Sequence, residues 1–68
     1  MPVVTVSVWQ DMIDDATSAQ LISGMTEAVV AAFGEQARTG TTVLVAGVPR
    51  SCWGVGGTPA SALLPANE

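Results

Sequence analysis

The residues of this chain that could do chemistry are few. Met1 is followed by Pro2, and Pro2 opens an alternating apolar stretch, Pro2-Val3-Val4-Thr5-Val6-Ser7-Val8. If the initiator methionine is removed, Pro2 carries a free secondary amine; with Met1 attached its nitrogen is an amide with no acid–base chemistry. A free α-amine titrates at about 7.7–8.0, and burial lowers that value by disfavouring the charged form. A rigidly held proline amine is therefore suited to be a general base near neutrality. Cys52 is a possible nucleophile, but the chain has no histidine to activate it, and it reads as a packed or incidental thiol. Arg38 and Arg50 are the cationic side chains. Arg50 precedes Trp53 by three residues and is the better candidate to meet an anion. Trp9 and Trp53 fit either core packing or the apolar wall of a pocket.

Other chemistries are excluded by composition. With no histidine and one cysteine, a structural zinc site has no ligand set and an intrachain disulfide is impossible. The run Gly54-Val55-Gly56-Gly57 lacks the lysine, the hydroxyl residue and the following helix of a phosphate loop, so it reads as a turn. Six acidic residues against two arginines give a net charge of −4. That balance argues against nucleic acid and against an anionic membrane surface. No apolar run approaches the roughly 20 residues of a membrane span, and no secretory leader is seen, so a cytoplasmic location is expected.

The elements that must position these residues are legible. Pro2 to Val8 reads as a strand, with Val4, Val6 and Val8 on one face. A helix is expected from about Asp15 to Phe33. Asp14 is one candidate N-cap, and Thr17 with Gln20 is a second, of capping-box form. Ile22, Met25, Val29, Ala32 and Phe33 recur at helical spacing as the expected buried stripe, and Gly34 is placed to end the helix. After a loop at Glu35–Gly40, Thr41 to Val48 reads as a second strand. Its apolar run, Val43-Leu44-Val45-Ala46, suggests cover on both faces. Strand, helix and strand imply a parallel pair. A small hairpin follows at the glycine-rich run, and Thr58 to Glu68 is expected to be extended or partly disordered.

The chain is thus expected to form a single α+β domain over residues 1–68, with an ordered core over about 2–61 and a tail over 62–68. Sixty-eight residues, 49% hydrophobic and 12% charged, cannot cover their own apolar surface. A single β-α-β unit also leaves sheet edges and one sheet face bare. Both arguments point to an oligomer.

The Met1-Pro2 start on a strand, the chain length, the β-α-β order and the segment from Pro49 through Trp53-Gly54-Val55-Gly56-Gly57 to Ser61 together resemble the 4-oxalocrotonate tautomerase family. The resemblance spans about residues 2–61. It implies β-α-β units paired as dimers and assembled into a hexamer, with pockets between subunits and no cofactor. It also implies an amino-terminal proline that moves a proton between the carbon and oxygen positions of a keto–enol pair, or in relatives helps add water to unsaturated acids. Pro2 matches the catalytic base and Trp53 the aromatic that lines the pocket.

Two departures from the family pattern bear on the substrate. By alignment, the family's carboxylate-binding arginines correspond to Met12 and Thr42 here, and neither side chain can clamp a carboxylate. An acidic or amide group often found near Gly47 and Cys52 is also absent. Three readings follow. The protein acts on a less charged carbonyl substrate in a pocket built from Trp9, Met12, Thr42 and Trp53, with Arg50 facing the developing negative charge. It is one subunit of a hetero-hexamer whose related short partner supplies the arginines. Or it is a non-catalytic subunit.

Overall fold

The computed structural model describes residues 1–63, with Leu63 described by its backbone only. It runs β1 (Val3–Trp9), a 3-10 turn (Gln10–Met12), α1 (Asp15–Phe33), a second 3-10 segment (Glu35–Gly40), β2 (Thr42–Val48), a third 3-10 turn (Arg50–Cys52), β3 (Gly54–Val55), β4 (Thr58–Pro59) and α2 (Ala60–Leu63). β1 and β2 pair in parallel, from Val3 opposite Thr42 to Trp9 opposite Val48. β3 and β4 form a separate antiparallel hairpin. This is the expected β-α-β unit with its hairpin.

The alternation of side chains follows the strand period. Val4, Val6, Val8, Val43 and Val45 are half-buried on the face that α1 covers. Val3, Thr5, Ser7, Leu44 and Ala46 are exposed on the other face. The expectation that β2 is covered on both sides is not met within one chain, where Leu44 is 52% exposed. The reason is geometric: one helix can lie on only one face of a two-stranded sheet, and the shortest extent of the chain is 14 Å.

α1 begins where expected, and its cap settles between the two candidates. Asp14 is the N-cap. Its carboxylate accepts from the Thr17 backbone N–H at 2.9 Å, and its own N–H donates to Thr17 Oγ1 at 2.8 Å. Thr17 is therefore the third helical residue of the box and not a cap of its own. This exchange, led by the Thr17 N–H bond, holds the Asp14 carboxyl below its ordinary range. The helix ends at Phe33, and the Gly34 N–H returns to the Val30 carbonyl at 2.8 Å.

The helix face differs from the expected stripe. Leu21, Met25 and Val29 are half-buried, whereas Ile22 and Phe33 are 43% and 67% exposed and Ala32 is exposed. Apolar residues continue around much of this helix, so periodicity did not select one face. The spacing of four from Thr17 through Leu21, Met25 and Val29 is the face turned to the sheet. Arg38 bonds both Glu27 and Glu35, which ties the 3-10 segment back onto α1. Gly47, opposite Val8, lets the chain cross closely. A β-carbon there would stand 3.0 Å from Ile13 Cδ1 and 3.3 Å from Gln10 Cα.

The segment after the hairpin is not extended. It enters α2, and Ala60 is buried with its N–H donating to the Trp53 carbonyl at 2.7 Å. The rest of the expected tail, residues 64–68, lies outside the described residues. Among the described residues Ala60 is the only one classed as buried, at 1% exposure. One copy of the chain thus folds its elements together without closing a core. No described helix is long and apolar enough to cross a membrane.

Candidate active site

The candidate residues fall at the two ends of the parallel sheet. At one end Pro2 precedes β1 and is half-buried. Its carbonyl accepts the Thr42 N–H at 3.0 Å, which places Thr42, itself exposed, beside it. An open groove of about 500 Å³ runs along Pro2, lined by Met1, Phe33, Gln36, Ala37 and Gly40. Its walls are mostly apolar. Met1 lies in this groove: a β-carbon on Gly40 would stand 3.1 Å from Met1 Sδ. Gln36 is the polar side chain of the groove, and it donates to the Phe33 carbonyl at 2.8 Å.

At the other end the strand delivers Trp9 against Trp53. Their ring centroids are 6.0 Å apart at 74°, an edge-to-face pair. The Arg50 guanidinium carbon lies 3.9 Å from the Trp9 centroid, and Arg50 Nε donates to Asp11 Oδ2 at 2.7 Å. Arg50 is the more enclosed partner, its side chain 17% exposed against 42% for Asp11. The pair spans 39 positions of sequence and joins the turn after β1 to the turn after β2. The Trp9 indole N–H is buried and has no hydrogen-bond partner among the described residues.

The hairpin fixes Trp53 from behind. Gly56 and Gly57 have φ of 61° and 86°, the left-handed region that the tight turn between β3 and β4 demands. Gly54 pairs with Pro59, and Ala60 N–H closes on the Trp53 carbonyl. Met12 stands apart from this cluster. It is 62% exposed and lines a separate groove with Val8, Ile13, Thr17, Gln20 and Leu21.

The structure therefore joins Trp9, Arg50 and Trp53, joins Pro2 and Thr42, and holds the two groups at opposite ends. Asp11, Phe33 and Gln36 were not foreseen. Asp11 lies in a polar connection with nothing local to mark its partner, and the helical spacing of Phe33 points to the core rather than to this groove. Cys52 is exposed, with Ser51 Oγ 3.9 Å from its sulfur, and no base is near it among these contacts. Among the described residues no cluster of three or more His, Cys, Asp or Glu side chains could hold a metal ion.

A family model described as "Tautomerase enzyme" matches residues 2–63. Comparison with curated proteins and with solved structures finds no match.

Proposed function

The chain belongs to the tautomerase enzyme family, and from that premise we propose that it is an isomerase that uses Pro2, freed of Met1, as general base and acid. The observation that carries the reading is Pro2 itself, half-buried at the head of β1 in an apolar groove. As a free amine, Pro2 takes a proton from a carbon next to a carbonyl. The electron pair of that C–H bond moves into a conjugated enolate. The same proton, carried on the proline nitrogen, is returned at another carbon of the system, a 1,3- or 1,5-shift with no net change in composition. Trp9 and Trp53 exclude water, and Arg50 faces the developing negative oxygen.

The site is completed by a second copy. β1 pairs with β2 alone among the described residues, so its other edge is open. Two chains meeting antiparallel along β1 would bring Pro2 of each toward Trp9 of the other. The bare face with Val3 and Leu44, and the exposed Ile22 and Phe33, supply apolar surface for further copies. The buried Trp9 N–H is a donor that such a neighbour can satisfy.

A second reading rests on the arginines. Arg38 is engaged by Glu27 and Glu35, and Arg50 by Asp11, while Met12 and Thr42 carry no charge. An arginine-poor subunit of a hetero-hexamer, completed by a related short chain, fits these facts.

The test is made on the purified chain, with loss of Met1 read by intact mass. Isomerisation of an unsaturated ketone in deuterated water is followed by NMR. The proline mechanism requires activity in the Met1-free protein and a loss of about 100-fold or more in protein retaining Met1. Equal activity of the two forms refutes it. A homo-oligomer active by itself refutes the hetero-hexamer reading.

A further inference from the structure

The ion pair of Arg50 and Asp11 bears on what the proposed site admits. Arg50 is fixed from two sides, by the Trp9 ring beneath the guanidinium and by Asp11 on Nε. Its charge faces a carboxylate 2.7 Å away. Gln10, Asp11, Pro49 and Arg50 line one groove of about 290 Å³, and Arg50 joins it to the Trp9 ring. A ligand entering it meets a carboxylate, a guanidinium and a neutral amide together. A ligand carboxylate that reaches Arg50 stands within a few ångströms of Asp11, and like charges so placed repel strongly where water is partly excluded. A neutral carbonyl oxygen accepts hydrogen bonds there without that repulsion.

We propose that Asp11 is a specificity-determining residue. By holding Arg50 on Trp9 through Nε and placing a full negative charge beside it, it leaves the guanidinium able to balance the one charge that develops on a carbonyl oxygen but not a second, permanent one, so that the aromatic end of the site takes uncharged α,β-unsaturated carbonyl compounds and turns carboxylates away. This rests on the reading of Trp9, Arg50 and Trp53 as a substrate-facing wall. It assigns to an unforeseen aspartate the discrimination that an arginine clamp would otherwise reverse.

The probes are cinnamate and cinnamamide, equal in shape and differing in charge, titrated by calorimetry into the assembled Met1-free protein. The wild type binds cinnamamide more tightly. Asp11→Asn keeps an oxygen for the Arg50 Nε–H and removes the charge. It tightens cinnamate by on the order of tenfold, while cinnamamide moves less than about twofold. Asp11→Glu retains the wild-type preference, and Arg50→Gln added to Asp11→Asn abolishes the gain. An unchanged cinnamate-to-cinnamamide ratio in Asp11→Asn overturns the proposal. So does tighter binding of cinnamate by the wild type, or binding of neither probe. Proton transfer is read separately by isomerisation. Predicted selectivity without turnover overturns the proline mechanism alone, and turnover without selectivity overturns the role of Asp11 alone.

Discussion

Pro2 and Trp53 stand at opposite ends of one parallel sheet: Pro2 bonds Thr42 before β1 begins, and Trp53 packs on Trp9 where β1 ends. The residues from Pro2 to Trp9 span roughly 23 Å of extended chain. Under the proposed function each copy holds two half-sites, and the proposal requires that a working site take its halves from different copies.

This predicts complementation. A protein retaining Met1 and a Met1-free Trp53→Ala protein, each strongly impaired alone, regain activity when unfolded and reassembled together. Random pairing restores up to about a quarter of the wild-type rate, because only mixed pairs hold one intact site. Isomerase assays before and after mixing measure it. No recovery in a mixed assembly would place both residues of each site on one chain.

The bare sheet face predicts a charge-sensitive assembly. Leu44, 52% exposed, sits on it opposite Thr5. Leu44→Glu is expected to shift the protein to smaller species in light scattering and to lower its Tm. The cause is a charge moved into an apolar contact.

The hairpin turn predicts a stability difference between neighbours. Gly57→Val costs about 1–2 kcal/mol, because φ of 86° crowds a branched side chain. Gly56→Asn, at φ of 61°, costs less, since asparagine visits that region. Denaturant unfolding measures both. As the hairpin backs Trp53, Gly57→Val should also weaken substrate binding.

Acid should destabilise the fold in a defined window. Hydrogen bonds from Thr17 hold the Asp14 carboxyl below its ordinary range, and the hydrogen bond from Arg38 does the same for Glu27. A carboxyl whose folded pKa is depressed stabilises the fold fully above its unfolded value, and that share is lost as pH falls through the folded value. The Tm is thus expected to hold from neutrality to about pH 5 and then to fall. Asp14→Ala lowers the Tm at neutral pH and flattens its acid dependence, read by thermal melts across pH.

Much of the local structure was readable from residue types. The valines at every second position of β1 announce a strand, Asp14 caps a helix that runs to Phe33, and paired glycines announce the turn before Thr58. The helix face was not readable, because Ile22 and Phe33 are as apolar as Leu21 and Val29. Only the position of α1 over β2 tells them apart. The small helix from Ala60 was missed because its anchor is the Trp53 carbonyl, a contact made by the fold.

Local periodicity, capping and turn chemistry act between near neighbours, so the sequence alone determined the strands, the long helix, the hairpin and the family motif that runs through them. The tertiary structure decided what depends on distant partners. It set Asp11 against Arg50 across 39 positions. It stacked Arg50 on Trp9 and set Trp9 edge to face against Trp53. It also parted these residues from Pro2 by the length of β1, because a parallel sheet fixes which strand ends share a side, and no pattern of near neighbours encodes that.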